Sequence, residues 1–269
     1  GEEAFSGLTA DHISALPGQA FQELSHYQIS NLDPSVMSAF TADNIEALPA
    51  QAFSAFTEDH IANLQAETFE SFNNQDVSNL QPEALSALDS SMLAAMEPDV
   101  MSGFSEHQIE HLSADILGEL DADHFNNFDA DAIGALTAEQ VSALPASIFT
   151  EEYVGDYAIQ QLANLSVDAV GGLTAEQIAH YPPEAVSNGF TPEFIEAIDA
   201  DVIGALTADQ VGNIGSIAWR EIDADTLGAI SPDSMTQFTD LGSVGEEAFS
   251  GLTADHISAL PGQAFQELS

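Results

Sequence analysis

TADHISAL (residues 9–16) followed by PGQAFQEL (residues 17–24) contains the pattern on which the whole chain is built. In each octad the fifth and eighth residues are apolar: Ile13 and Leu16, then Phe21 and Leu24. Divided into eights from residue 1, the sequence keeps this rule through 18 consecutive octads, ending at TAEQVSAL, residues 137–144. Apolar residues three apart fall on one face of a helix and on opposite faces of a strand, so the octad predicts a helix. One continuous helix is excluded, because eight residues rotate the apolar stripe by roughly 80° per octad at 3.6 residues per turn. A coiled coil is excluded as well, since its repeats are 7 or 11.

The octad boundaries carry the signals of helix starts. Of the 30 units before residue 245, 20 begin with Ser, Thr, Asp or Asn, the residues that cap helix N-termini. In TAEQVSAL, Thr137 is the expected N-cap and Gln140 its capping-box partner. All 11 prolines stand at position 1 or 2 of a unit, where no intrahelical bond is lost. Each octad is thus expected to form a helix of about two turns, too short to be stable alone. Stability has to come from stacking, as in solenoid repeats.

Octads also alternate. Every second one places a polar or long side chain at position 4 (His12, Gln28, Asn44, His60 and Asp76 among them), while the intervening octads place Ala, Val, Thr or Ile there. The expected fold is all-α: a solenoid or superhelix of very short helices in which octads pair into 16-residue coils. Three units break the length rule: 145–157, 182–190 and 239–244. Beyond them, residues 245–269 repeat residues 1–25 without a change. Residues 1–244 therefore read as one superrepeat and 245–269 as the start of the next, in the correct alternation. Self-association, by tandem continuation or by head-to-tail docking through 1–25 and 245–269, is the expected partnership.

Composition narrows the function. The 45 acidic residues against one basic residue, Arg220, give a net charge of −44. Such a polyanion repels nucleic-acid backbones and anionic membranes and attracts cations, so divalent cations are candidate partners and nucleic acid is not. An apolar content of 45% supports a folded chain, and the apolar runs are too short to insert in a membrane. No cysteine is present, which removes disulfides and thiolate metal sites. Residue 1 is Gly, as expected of a window from a longer or processed chain.

Candidate chemistry is sparse. Four Asp-Ala-Asp sets, at Asp121/Asp123, Asp129/Asp131, Asp199/Asp201 and Asp223/Asp225, could offer clustered carboxylates to Ca²⁺. Their plainer reading is an N-cap Asp followed by an acid favoured by the helix dipole. His107 and His111 have the i,i+4 spacing of a transition-metal pair without a third ligand, and otherwise read as a solvated helix face. His12, His60 and His124 share position 4 and read as capping residues interchangeable with Gln. No nucleophile and base pairing, phosphate loop or catalytic carboxylate pair is evident, so no enzyme and no required cofactor is expected.

TAEQVSAL, TADQVGNI, TAEQIAHY and TADHISAL resemble the tandem "LTxxQVxAL" octapeptide tracts of very large bacterial surface and secreted proteins, adhesin-like ones included. That resemblance implies an extended, extracellular, structural role at the cell surface, as a fibre or stalk. The alternative is an acidic module that binds cations such as Ca²⁺ or adheres to a partner.

Overall fold

The computed structural model describes residues 2–149 and 164–268, so most of the irregular unit 145–157 lies outside the described residues. The chain forms two compact units, 1–136 and 137–269, built on one plan. Among the described residues there is no strand, and no helix is longer than seven residues. This is the all-α solenoid of very short helices that the octad predicts.

Each described octad is one short helix joined to the next by two extended residues, at positions 8 and 1. Leu48 (φ −68°, ψ 140°) and Pro49 (φ −67°, ψ 138°) form such a joint. Proline fits here because its ring fixes φ near that value. No described residue has a positive φ or a cis peptide bond, so the chain turns at these joints without needing glycine.

The 16-residue pair is the repeat of secondary structure. Octads with a polar position 4 are α-helical, as in Ala42–Ala47 and Asn74–Asn79, while their partners in the middle of the first unit are 3₁₀ helices, as in Ala50–Ala55 and Pro82–Ala87. In most of these α octads the N-cap side chain accepts the position-4 N–H, as Thr41 does from Asn44, and the position-4 side chain returns the bond; Met92, His124, Phe194 and Thr226 do not return it. The alternate octads bury Ala52 or Ala84 at position 4, and their chain closes through i,i+3 bonds such as Phe56 N–H to Phe53 O. With three residues per turn, positions 5 and 8 of a 3₁₀ octad lie one above the other. Phe53 and Phe56 stack at 5.2 Å, and Phe69 and Phe72 at 4.6 Å.

The expected 16-residue coil is corrected by the structure, in which stacking follows a longer interval than the octad pair because the joints turn the chain through less than half a circle per octad. In the first unit, bonds between successive coils join residues 28 apart: His26 to Ser54, His60 to Leu32, Asn74 to Ser102 and His124 to Met96. A coil is therefore about three and a half octads, and an α octad lies against 3₁₀ octads 24 residues away, as Asn74–Asn79 does between Ala50–Ala55 and Pro98–Gly103. Positions 5 and 8 fill the core between coils, as Val77, Leu80, Leu85 and Leu88 do. No described helix is long and apolar enough to cross a membrane.

Close approach between coils shows at position 7 of the 3₁₀ octads. A Cβ on Gly103 would overlap the Asn74 backbone, and one on Gly251 the Ala224 carbonyl. Gly7 occupies the same place in an identical sequence, yet a Cβ there meets nothing within 4 Å. Gly251→Ala is therefore expected to destabilise the fold by about 1–3 kcal/mol through overpacking, and Gly7→Ala to leave it within about 0.5 kcal/mol. Urea unfolding of the two variants checks this; equal effects would contradict the stacking register.

Candidate functional site

Among the described residues, the polar side chains at position 4 of the α octads form a recurrent buried polar array. His60, Asp76, Gln108, His124, Gln140, Gln177, Gln210 and His256 are all buried there. Gln108 shows its chemistry in full. Its Oε1 accepts from the Ser105 backbone N–H (2.9 Å) and hydroxyl (3.0 Å), completing the capping box. Its Nε2 donates to Val77 O (2.7 Å) and Leu80 O (2.9 Å), two carbonyls of the preceding coil. Gln177 repeats this with Val141 and Leu144, and Gln210 with Ile178 and Tyr181. One amide thus satisfies an orphan N–H at the start of its own helix and two carbonyls at the end of another.

Histidine performs a one-carbonyl version. The Thr57 backbone N–H donates to His60 Nδ1 (3.1 Å), which places the ring hydrogen on Nε2, and Nε2 donates to Leu32 O (3.1 Å). His256 does the same between Thr253 (3.0 Å) and Ile230 O (2.7 Å). At His124 both ring nitrogens face oxygen atoms, Asp121 Oδ1 at 2.7 Å and Met96 O at 3.0 Å. Burial alone would raise the Asp121 carboxyl, but the His124 backbone N–H and ring outweigh it and hold the group below its ordinary value.

Asp76 is the exception in charge. It is the one buried acid among the described residues, and burial pushes its carboxyl up to about 6 against the opposing Asn73 N–H. By the register of Gln108, whose amide reaches residues 31 and 28 positions earlier, an amide at position 76 would face the carbonyls of Ile45 and Leu48, to which a carboxylate has no hydrogen to give.

The residues singled out for metal binding are committed to other bonds or stand apart. Asp121 and Asp223 are N-caps that accept from His124 N (2.9 Å) and Thr226 N (2.7 Å), and the Thr226 N–H holds Asp223 below the ordinary carboxylate range. Asp129 and Asp199 are N-caps without a side-chain bond to their own helix. Asp123, Asp131, Asp201 and Asp225 stand in the first turns that follow. His111 Nδ1 lies 2.9 Å from the His107 carbonyl and donates to it, while His107 lies beside Glu106 at 3.8 Å. His180 makes the same return bond to Glu176 O, as Asn31, Asn63, Asn79 and Asn127 do with Nδ2, so position 7 is a helix C-terminal cap. Among the described residues no three His, Asp or Glu converge as a metal-holding group.

The described residues also form concavities. A mostly apolar groove of about 310 Å³ is lined by Phe5, Leu8, Leu16, Ala20 and Leu24, together with Glu23 and Gln28. An open polar cleft of about 560 Å³ runs between Arg220–Asp225 and Gly245–Ala248.

No family model matches this chain, and no curated protein does. Among solved structures, the leucine-rich repeat-containing protein LegL7 from Legionella pneumophila is similar over 84% of this chain and 85% of its own, at 12% identity and a TM-score of 0.18. That score carries no argument about shared geometry, and the solenoid assignment rests on the octads themselves.

Two expectations test the position-4 array. His60→Ala leaves the Leu32 carbonyl and Thr57 N–H without their partner and should cost about 2–4 kcal/mol, whereas His60→Gln should recover most of it; thermal or urea unfolding separates them. For Asp76, the folded-state value lies above the ordinary 3.8, so the folded state binds the extra proton and stability falls as pH rises from about 4 to about 6. Asp76→Gln should accordingly add about 2 kcal/mol near neutral pH and lose that advantage below about pH 4. A gain independent of pH would contradict the assignment.

Proposed function

We propose that this chain is a non-enzymatic structural module, one superrepeat of a tandem α-solenoid that builds an extracellular fibre or cell-surface stalk. The observation that carries the reading is how the stack treats its irregular units. Gln177 reaches Leu144 across 33 residues, Gln210 reaches Tyr181 across 29 and His256 reaches Ile230 across 26. Relative to the regular 28, these spans are longer by five, longer by one and shorter by two. Those are the departures from eight of the units 145–157, 182–190 and 239–244. Each irregular unit is absorbed between coils, and the same bond is made on its far side.

The register is thereby kept up to residues 245–269, which repeat the opening of the sequence. Further support comes from the resemblance to octapeptide tracts of bacterial surface proteins and from buried polar groups engaged in holding coils together. The high negative charge suits a solvated, non-aggregating surface. Copies of the superrepeat are proposed to follow one another in a covalent array.

Arg220 offers trypsin its single site. Denatured native material made of identical linked superrepeats should collapse largely to one 244-residue species, the offset between the two copies of the opening. Recovery of fragments of 220 and 49 residues, the two sides of Arg220 in a 269-residue chain, would overturn the array.

A further inference from the structure

Position 4 of the α octads is where a coil meets the one before it, and the Gln and His members of the array bring hydrogen to that meeting. Gln108, Gln177 and Gln210 each donate to two carbonyls of the preceding coil, and His60 and His256 each to one. Asp76 holds the same position and is 3% exposed. Its Oδ2 accepts the Asn73 N–H at 3.1 Å, as Gln108 Oε1 accepts from Ser105. That N–H is the one donor the carboxylate meets among the described residues.

The stack is regular on both sides of this residue. His60 reaches Leu32 and Gln108 reaches Leu80, each across 28 residues. At the intervals set by Gln108, the preceding coil presents the carbonyls of Leu48 and Ile45 to position 76. The N–H four residues beyond Ile45 is absent, because residue 49 is proline. Ile45 O accepts the Leu48 N–H at 3.0 Å and keeps a second lone pair. Three acceptors, the second carboxylate oxygen and two carbonyls, thus meet at this step of the stack with no hydrogen between them. No basic side chain offsets the charge, since residues 1–136 contain neither Lys nor Arg. Of the helices packed on Asn74–Asn79, Ala50–Ala55 carries no charge and Pro98–Gly103 carries only another acid, Asp99.

We propose that a monovalent cation of sodium size occupies this slot and bridges Asp76 Oδ1 to the carbonyls of Ile45 and Leu48, taking the part that a side-chain amide plays at Gln108. Size supports it. Asp is shorter than Gln by one methylene, which leaves roughly 1.5 Å more between its oxygen and the carbonyls than the Gln108 amide leaves. A hard cation holds oxygens at about 2.4 Å, so two oxygens on one ion stand up to about 4.8 Å apart. Charge selects the valence: one monovalent ion neutralises one carboxylate, whereas a divalent ion would replace a buried negative charge by a buried positive one. The net charge of −44 gathers cations around the chain and so favours loading. The site is independent of the fibre reading, since it seats one coil on another whatever the assembled molecule does.

Native-state amide hydrogen exchange of the 269-residue chain tests it, in about 0.5 M sodium chloride against the same concentration of tetramethylammonium chloride near neutral pH. The two salts screen the surface equally, but the methyl groups of the organic cation keep its charge out of the slot. The amides of Val77 and Leu80, bonded to Asn73 O and Val77 O, are expected to exchange about fivefold to tenfold more slowly in sodium. The Ile109 amide, bonded to Ser105 O in the octad that Gln108 seats, should exchange at rates within about twofold in the two salts. In Asp76→Gln the sodium preference at Val77 and Leu80 should disappear, and Asp76→Asn tests the same loss should the first variant lose far-UV helicity. Equal exchange of Val77 and Leu80 in the two salts would mean that water fills the slot and would overturn the proposal. A sodium preference that survives the substitution, or that appears equally at Ile109, would overturn it as well.

Discussion

A helix of five or six residues consists almost entirely of ends. Its first four N–H groups and last four carbonyls have no partner within the helix, so in a stack of such helices nearly every backbone group needs satisfaction from elsewhere. The position-4 side chain meets this constraint from both directions at once. Gln108 accepts the Ser105 N–H at the start of its own helix and donates to the Val77 and Leu80 carbonyls at the end of another. Secondary structure and stacking are therefore not separate stages in this fold, because the bond that caps one helix is shared with the bond that seats it on the coil below.

This double duty fixes which residues position 4 accepts. A capping box alone would favour Glu as readily as Gln. Yet none of the α octads has Glu there, in a chain with 45 acids. A carboxylate can take the backbone N–H but has nothing to offer the carbonyls, whereas Gln offers two hydrogens and neutral His one. Asp76 marks the limit, tolerated with its carboxyl pushed up to about 6 by burial. The acids otherwise stand at helix starts and on outer positions, where the dipole and water both favour them. Asp33 and Asp89 are held low by the Ser35 and Ser91 hydroxyls beside them.

Much of this was legible in the letters. Positions 5 and 8, the Thr, Ser, Asp and Asn caps and the placement of every proline identify the short helices and their boundaries. The alternation at position 4 separates octads with a polar cap from octads with a small or apolar residue there, but not the change between α and 3₁₀ helix, since Gly18–Gln22 and Ala130–Gly134 are α-helical with Ala at position 4. The stacking interval was not legible, because a period of eight says nothing about how far the chain turns between octads. That angle is set by the paired extended residues at positions 8 and 1, and their torsions do not follow from an apolar pattern. His12 and His60 read correctly as capping residues, whereas the His124 ring bonds the Asp121 carboxylate instead of a backbone N–H, and a single sequence does not display a carbonyl 28 residues away. The missing Glu was the available signal. His107 and His111 looked like a pair because i,i+4 brings side chains together; the geometry uses the same spacing to return one ring to the other residue's carbonyl.

The irregular units show why such a fold can grow by repetition and still vary. In a continuous helix or a coiled coil, an insertion of five residues would rotate the apolar seam and carry its effect along the chain. Here the seam is rebuilt in every octad, and the link between coils is a local bond from position 4 to positions 5 and 8. Extra residues can be accommodated in the connection, where lengthening costs little because closure entropy grows only slowly with loop length. Gln177, beyond the thirteen-residue unit, makes the same two bonds as Gln108, which precedes it. Each coil needs only its neighbours, so stability is set by nearest-coil contacts rather than by total length. What must be conserved along the chain is therefore the order of octad types, and the repeat from residue 245 preserves it.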